Sequence, residues 1–583
     1  MKFKSTSLCF LAAGILCMDM GCSSGPEKKK EFQVVTWEMA DPQMLQPLST
    51  SELGGTTVMR YIFQQLIDID FKTLELTPVL AEKRALIEKT SKGGMRLTFS
   101  IRKEARWDNG SPVTAKDVEF TLKAMLNPAV NNAPIKSTID YISDIQLYPD
   151  NPNKLTICCD TLFFLAEAGC GGYPIIPEYA YDPKGLMKGF TVSQLHKNGA
   201  SVINDPKIQE FATDMNSEKR MRDKNFIVGS GPYQLDTWVT NQRLTLKKKK
   251  TYWGDALTDQ IPYLAAYPDK LVFCTIKDLN SAIAALKAGN LDVLYQIKAK
   301  DFLEMKKDKK VTDNFNLYTP PFLVYYYLGF NTKNKFFQDK KTRQALSYLT
   351  DVDRIIKSVY YGMAERTVGP MHPSLKKEYN SDIPLYDFNP EKAKALLAED
   401  GWKDTNGDGT LDKVIDGVRT EFKINIAFNT NEVRKSIALI FQEDARKAGI
   451  EVSLVQQEWN TYLVNMKKHN VEMFVSGWAL YPAGNDLKGV WHSESTRNNG
   501  DNYVNFSNPT CDSILEAVRT EIDEDKRAIM LRKLQVLMHE EAPCVFLLAP
   551  TGTLAISKKF TNVVPSAMRP GFNPSDFMLQ KPD

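Results

Sequence analysis

Five histidines, His196, His372, His469, His492 and His539, are the side chains best suited to metal ligation or general-base work, and their spacing serves neither. No two share the helical interval of a zinc site, and no HExxH occurs. The nine cysteines include no CxxC pair. Gly229-Ser230-Gly231 is glycine-rich, but no Lys-Ser or Lys-Thr completes a phosphate loop, and it is not the Gly-x-Ser-x-Gly of a nucleophile elbow. Asp404-Thr405-Asn406-Gly407-Asp408-Gly409-Thr410-Leu411-Asp412 spaces its oxygens like a calcium loop. Ile415 stands where the bidentate acid of such a loop belongs, so the stretch reads as a polar loop entering a strand. Nowhere does a nucleophile sit beside a base. The chemistry on offer is recognition, with no catalytic residue, metal or cofactor expected; an exported hydrolase is the competing class.

The elements around these residues are more telling. Leu97–Ile101 alternates as a half-buried strand. Trp107-Asp108-Asn109-Gly110-Ser111-Pro112 is a turn in which Asn-Gly supplies positive φ. Thr114 then caps a helix, with Asp117 in the place of a capping-box acid. The result is a rigid strand–turn–helix. Further strands are expected at Gln33–Trp37, in Asp144–Thr161, at Phe322–Asn331, Glu451–Gln457, Val471–Trp478 and Ala542–Leu548, and helices at Met59–Ile67, Asn431–Gly449 and Asp523–Glu540. Arg343 and Asp351 are expected to serve as structural ion-pairing groups.

At 583 residues the chain is too long for one core and divides into two or three domains. The 74 basic residues nearly balance the 71 acidic ones, which argues against a nucleic-acid binder. The N-terminus reads as an export signal: Lys2 and Lys4, an apolar core Leu8–Cys17 too short to span a bilayer, then Gly21-Cys22-Ser23 as a lipoprotein processing site. Asp19 stands where such sites prefer leucine. Attachment to a membrane would be through lipid on Cys22 alone. An exported setting permits disulfides. Cys158 or Cys159 can reach Cys170, but neighbouring strand residues point to opposite faces, so only one is well aimed.

Several motifs, in order, resemble the family 5 extracellular solute-binding proteins of bacterial ABC importers. They are Leu76–Glu82, the Arg106–Phe120 signature, Val228–Tyr233, Tyr252-Trp253-Gly254, Ser281–Val293, Gly329–Arg354, Asp387–Trp402 and Gly477-Trp478. The resemblance implies an α/β, two-lobed periplasmic-binding-protein-like fold with an additional subdomain and a ligand cleft between the lobes. It implies a signal peptide over 1–21, a lipidated tether over 22–31, and a first lobe assembled from 32–64, 225–318 and 542–583. The extra subdomain would occupy 65–224 and the second lobe 319–541. A monomer is expected, extracytoplasmic, handing its ligand to an ABC permease and ATPase complex.

The ligand contacts implied are Ser51, Glu52 and Leu53 from the first lobe, and Tyr325, Tyr327, Trp478, Tyr481 and Asp486 from the second. In peptide-binding members an aspartate follows Gly-Trp and meets the ligand's amino group. Here Ala479-Leu480-Tyr481-Pro482 follows, and that aspartate is absent. Either Asp486 replaces it for an oligopeptide or dipeptide, or the ligand is of another kind, such as haem, nickel or a glycan.

Overall fold

The computed structural model describes residues 31–581 except Ser51, Ser137, Asn498 and Asn499. The expected leader, the expected lipidation site Cys22 and the expected contact Ser51 lie outside the described residues. No helix among them is long and apolar enough to cross a membrane.

Three sheets carry the molecule. A seven-stranded sheet runs in the order Phe315–Tyr318, Leu554–Ser557, Val293–Tyr295, Gln33–Glu38, Lys270–Thr275, Arg243–Lys248, Tyr233–Val239. Gln33–Glu38 is parallel to both its neighbours, and its residues Val34 and Trp37 are buried. A four-stranded antiparallel sheet, Leu86–Lys89, Met95–Ser100, Asn151–Cys159 and Ile142–Tyr148, shares one continuous core with it. A six-stranded sheet centred on Val324–Phe330 and Met473–Ala479 carries a separate core on each face.

The signature stretch folds as its residues dictate. Gly110 takes φ +84° and donates its N–H to Trp107 O at 3.0 Å. The helix Ala115–Leu126 starts where the Asp117 carboxylate accepts the Thr114 N–H at 2.8 Å. Its apolar stripe, Val118, Leu122 and Met125, is buried in the shared core.

Two local expectations are corrected. The helix expected at Met59–Ile67 lies upstream, at Leu53–Met59, because the Glu52 carboxylate accepts the Gly54 and Gly55 N–H groups and so starts it early. The chain leaves helix after Met59 because the Tyr61 and Ile62 carbonyls accept the Tyr233 and Gly231 N–H groups at 3.0 and 2.8 Å. The same approach explains the Gly-Ser-Gly: a Cβ on Gly229 would stand 2.3 Å from Ile62 O, and one on Gly231 2.6 Å from Tyr61 O. The strand Cys544–Pro550 does not return to the first lobe. It pairs with Val324–Phe330 in the six-stranded sheet, and the crossing back is made by Leu554–Ser557. Arg343 and Asp351 do serve as structural ion-pairing groups, with different partners: Arg343 lies 3.7 Å from the Glu541 carboxylate and also donates to the carbonyls of Phe337, Gln338, Glu541 and Ala542, while Asp351 lies 3.9 Å from Arg354 and caps the next helix, Val352–Val359.

The cysteine choice is resolved by burial. Cys159 Sγ lies 3.6 Å from Cys170 Sγ in the core, while Cys158 faces the other side. Given a disulfide oxidant, the Cys159–Cys170 pair is expected to close, constraining the unfolded chain by about 2–3 kcal/mol for so short a loop. Thiol alkylation followed by mass measurement should count two fewer free thiols after oxidation with glutathione disulfide. Cys159→Ser should abolish the difference and Cys158→Ser should leave it.

Candidate functional site

Where the lobes meet, a cleft of about 610 Å³ opens. One wall follows from the first strand. Its carboxyl end is the usual place for a ligand in a sheet with parallel strands. The chain leaving Glu38 loops through Pro47 and Thr50 into the helix Leu53–Met59, which presents Leu53, Thr56, Thr57 and Arg60 to the cleft. The facing wall is the end of the two central strands of the second lobe. There Val324 pairs with Ala479 and the Leu480 N–H donates to Leu323 O at 2.7 Å. Leu323, Ala479, Leu480, Tyr481 and Pro482 line this side. Ile139, Tyr173 and Pro174 from the additional subdomain close one flank, and Ala567–Arg569 the other.

Of the residues expected to touch ligand, Leu53 and Tyr481 are brought to the cleft, and both are largely exposed. Glu52 stands beside it, but spends its carboxylate on the Gly54, Gly55 and Gln43 N–H groups. Tyr325 and Tyr327 are not brought there. Each is 1% exposed, because the six-stranded sheet is covered on both faces and their rings pack on Phe546, Phe474 and Trp491. Trp478 lies half-buried behind the wall, stacked on Tyr503 with ring centres 5.5 Å apart. Asp486 binds the Arg519 guanidinium at 3.0 Å and so is not free to replace the missing aspartate. Neither His372 nor His492 lines the cleft.

The calcium-like loop consumes its own oxygens. Asp404 accepts the Gly407 and Gly409 N–H groups, and Asp412 takes Thr405 and, at 3.0 Å, Arg419. Arg569, Tyr173 and the Thr56–Arg60 face were missed from the sequence. Arg569 lies in an irregular Pro- and Asn-rich tail with no period to read, and Tyr173 follows a Gly-Gly that reads only as a turn.

Titratable groups next to the first wall set a pH response. Burial pushes the Glu38 carboxyl up to about 7, although the Tyr295 hydroxyl donates to it at 2.6 Å. Burial does the same to Asp576, also to about 7. A raised carboxyl pKa means that the native state holds the proton more tightly than the unfolded chain. That contribution is present at low pH and is lost as pH rises through 7. Burial lowers His372 to about 4, which works the other way, costing stability as pH falls below its ordinary value. Between pH 8 and 6 the two carboxyls should add about 1 kcal/mol each, against somewhat less lost at His372. Thermal melts should therefore rise from pH 8 to 6, and Glu38→Gln should remove about half of the carboxyl contribution. An unchanged pH dependence in Glu38→Gln would contradict this.

Two lobes are joined by crossing segments, with a roomy cleft between them. The chain belongs to the bacterial extracellular solute-binding proteins of family 5, whose middle-region model matches residues 75–501. It is 27% identical over 554 residues to the oligopeptide-binding protein AppA of Bacillus subtilis, covering 94% of this chain and 92% of that one. It is 26% identical to the dipeptide-binding protein of Escherichia coli, over 83% of each. The structure of AppA from Bacillus subtilis in complex with a nonapeptide aligns with 95% of this chain and 100% of its own, at 26% identity and a TM-score of 0.67.

Proposed function

We propose that the protein captures oligopeptides or dipeptides in the interlobe cleft and hands them, unaltered, to the permease and ATPase of an ABC importer. The observation that carries the reading is the cleft itself. Its 610 Å³ is the size of a small-ligand site, and its walls come from both lobes, so that closure would enclose the ligand. Full-length similarity to peptide-binding relatives supports it. Leu53 and Tyr481 contact the ligand from opposite walls, and Ser51 is a further contact. Trp478 acts through the wall it supports. The protein works as an extracytoplasmic monomer tethered by lipid on Cys22, and binds no nucleic acid.

Native mass spectrometry of the mature protein from its own host, followed by denaturation and sequencing of what is released, tests this. A ladder of short peptides is expected. A protein carrying haem, a metal or a sugar, and no peptide, would overturn it.

A further inference from the structure

The charges around the cleft do not match a ligand held by its amino group. Among the described residues, no aspartate or glutamate lines it. The two carboxylates nearest in sequence are spent, Glu52 on backbone N–H groups and Asp486 on Arg519. Of the two lining arginines, Arg60 is answered by Asp68 at 3.1 Å and by the face of Phe71. Arg569 is different. Among the described residues its guanidinium has no carboxylate partner; it lies over the Phe322 ring, 4.7 Å from the centre, which orients it and leaves its N–H edge free. Tyr173 also lines the cavity, but its hydroxyl is fully buried and presents no surface to it. The remaining walls are largely apolar, with Leu323, Leu480, Met568 and Ile139 among them.

The geometry points to a ligand anchored through an anion: its carboxylate meets Arg569, and an apolar body fills the rest. No countercharge awaits an ammonium group. This rests on the peptide reading and narrows it to apolar peptides recognised by the C-terminal carboxylate, with a free N-terminus not required.

The test is calorimetric binding of one apolar tripeptide in free, N-acetylated and C-amidated forms, with octanoate and octanamide as non-peptide probes, to wild type, Arg569→Gln and Arg569→Lys. Acetylation should change affinity by less than about threefold and amidation should weaken it about tenfold or more, the scale of a lost charge-assisted hydrogen bond. Arg569→Gln should erase the acid-to-amide preference, and Arg569→Lys should keep part of it. Loss on acetylation instead of amidation, or an unchanged preference in Arg569→Gln, would overturn the inference while leaving peptide capture standing. If no peptide form binds, the peptide reading fails and the fatty-acid pair decides. Octanoate binding that Arg569→Gln removes supports the anion anchor; octanoate binding no tighter than octanamide, or not at all, overturns it.

Discussion

Replacing Ala479 with tryptophan is expected to abolish ligand capture while leaving the fold intact. Ala479 ends the strand Met473–Ala479, pairs with Val324, and is exposed on the cleft wall. An indole there occupies space that a ligand needs, and a rigid two-ring side chain on a strand cannot fold out of the way as a lysine would. Affinity should fall by about a hundredfold or more, equivalent to roughly 3 kcal/mol. Stability should scarcely move, because the site is exposed and aromatic residues suit strands. The control is a second cavity, about 530 Å³, lined by Trp107, Asp108, Lys249 and Trp253. Thr251→Trp narrows that cavity and should leave binding unchanged. If Ala479→Trp bound within about threefold of wild type, the interlobe cleft would not be the capture site.

Arg343→Met is expected to be the most damaging single change to the second lobe. The arginine is 4% exposed, and its donors reach four backbone carbonyls at 2.8–3.2 Å or closer. Two of those carbonyls, of Glu541 and Ala542, end the helix Glu524–Glu541, where Ala542 turns left-handed at φ 44° and feeds the strand Cys544–Pro550. Methionine fills the volume but leaves these acceptors buried and unmet. The cost should be about 3–5 kcal/mol, as for other buried charges stripped from their partners. Urea unfolding should show it in the transition that reports the second lobe, with Arg343→Lys losing less. A cost under about 1 kcal/mol would contradict the assignment.

The contrast between these two positions shows what can be read from sequence. Local grammar was legible: the Asn109-Gly110 turn, the Thr114–Asp117 cap and the strand Glu451–Gln457 form where the residue types place them. What depends on a distant chain was not. Glu52 caps a helix earlier than periodicity suggests, and Tyr61–Ile62 are pulled out of helix by Gly231 and Tyr233, far along the chain. Arg343 and Asp351 are ion-pairing groups as their residue types suggest, but their partners, Glu541 and Arg354, appear only in three dimensions. The aromatic strand Val324–Phe330 offered its alternating tyrosines as a cleft face, but a sheet covered on both sides hides each of Tyr325 and Tyr327. Beside that segment, Leu323 and, on the paired strand, Ala479 line the cleft. Arg569 had no local signal at all, since its meaning comes only from the absence of carboxylates, among the described residues, around a cavity built by six separate stretches.

The decisive measurement is calorimetric titration of ligand-stripped mature protein with peptides from two to nine residues long, run beside Ala479→Trp. Saturable one-to-one binding at about micromolar affinity or tighter for at least one length, lost in the variant, is the predicted result. No saturable binding at any length, or binding that Ala479→Trp leaves untouched, would contradict peptide capture in this cleft.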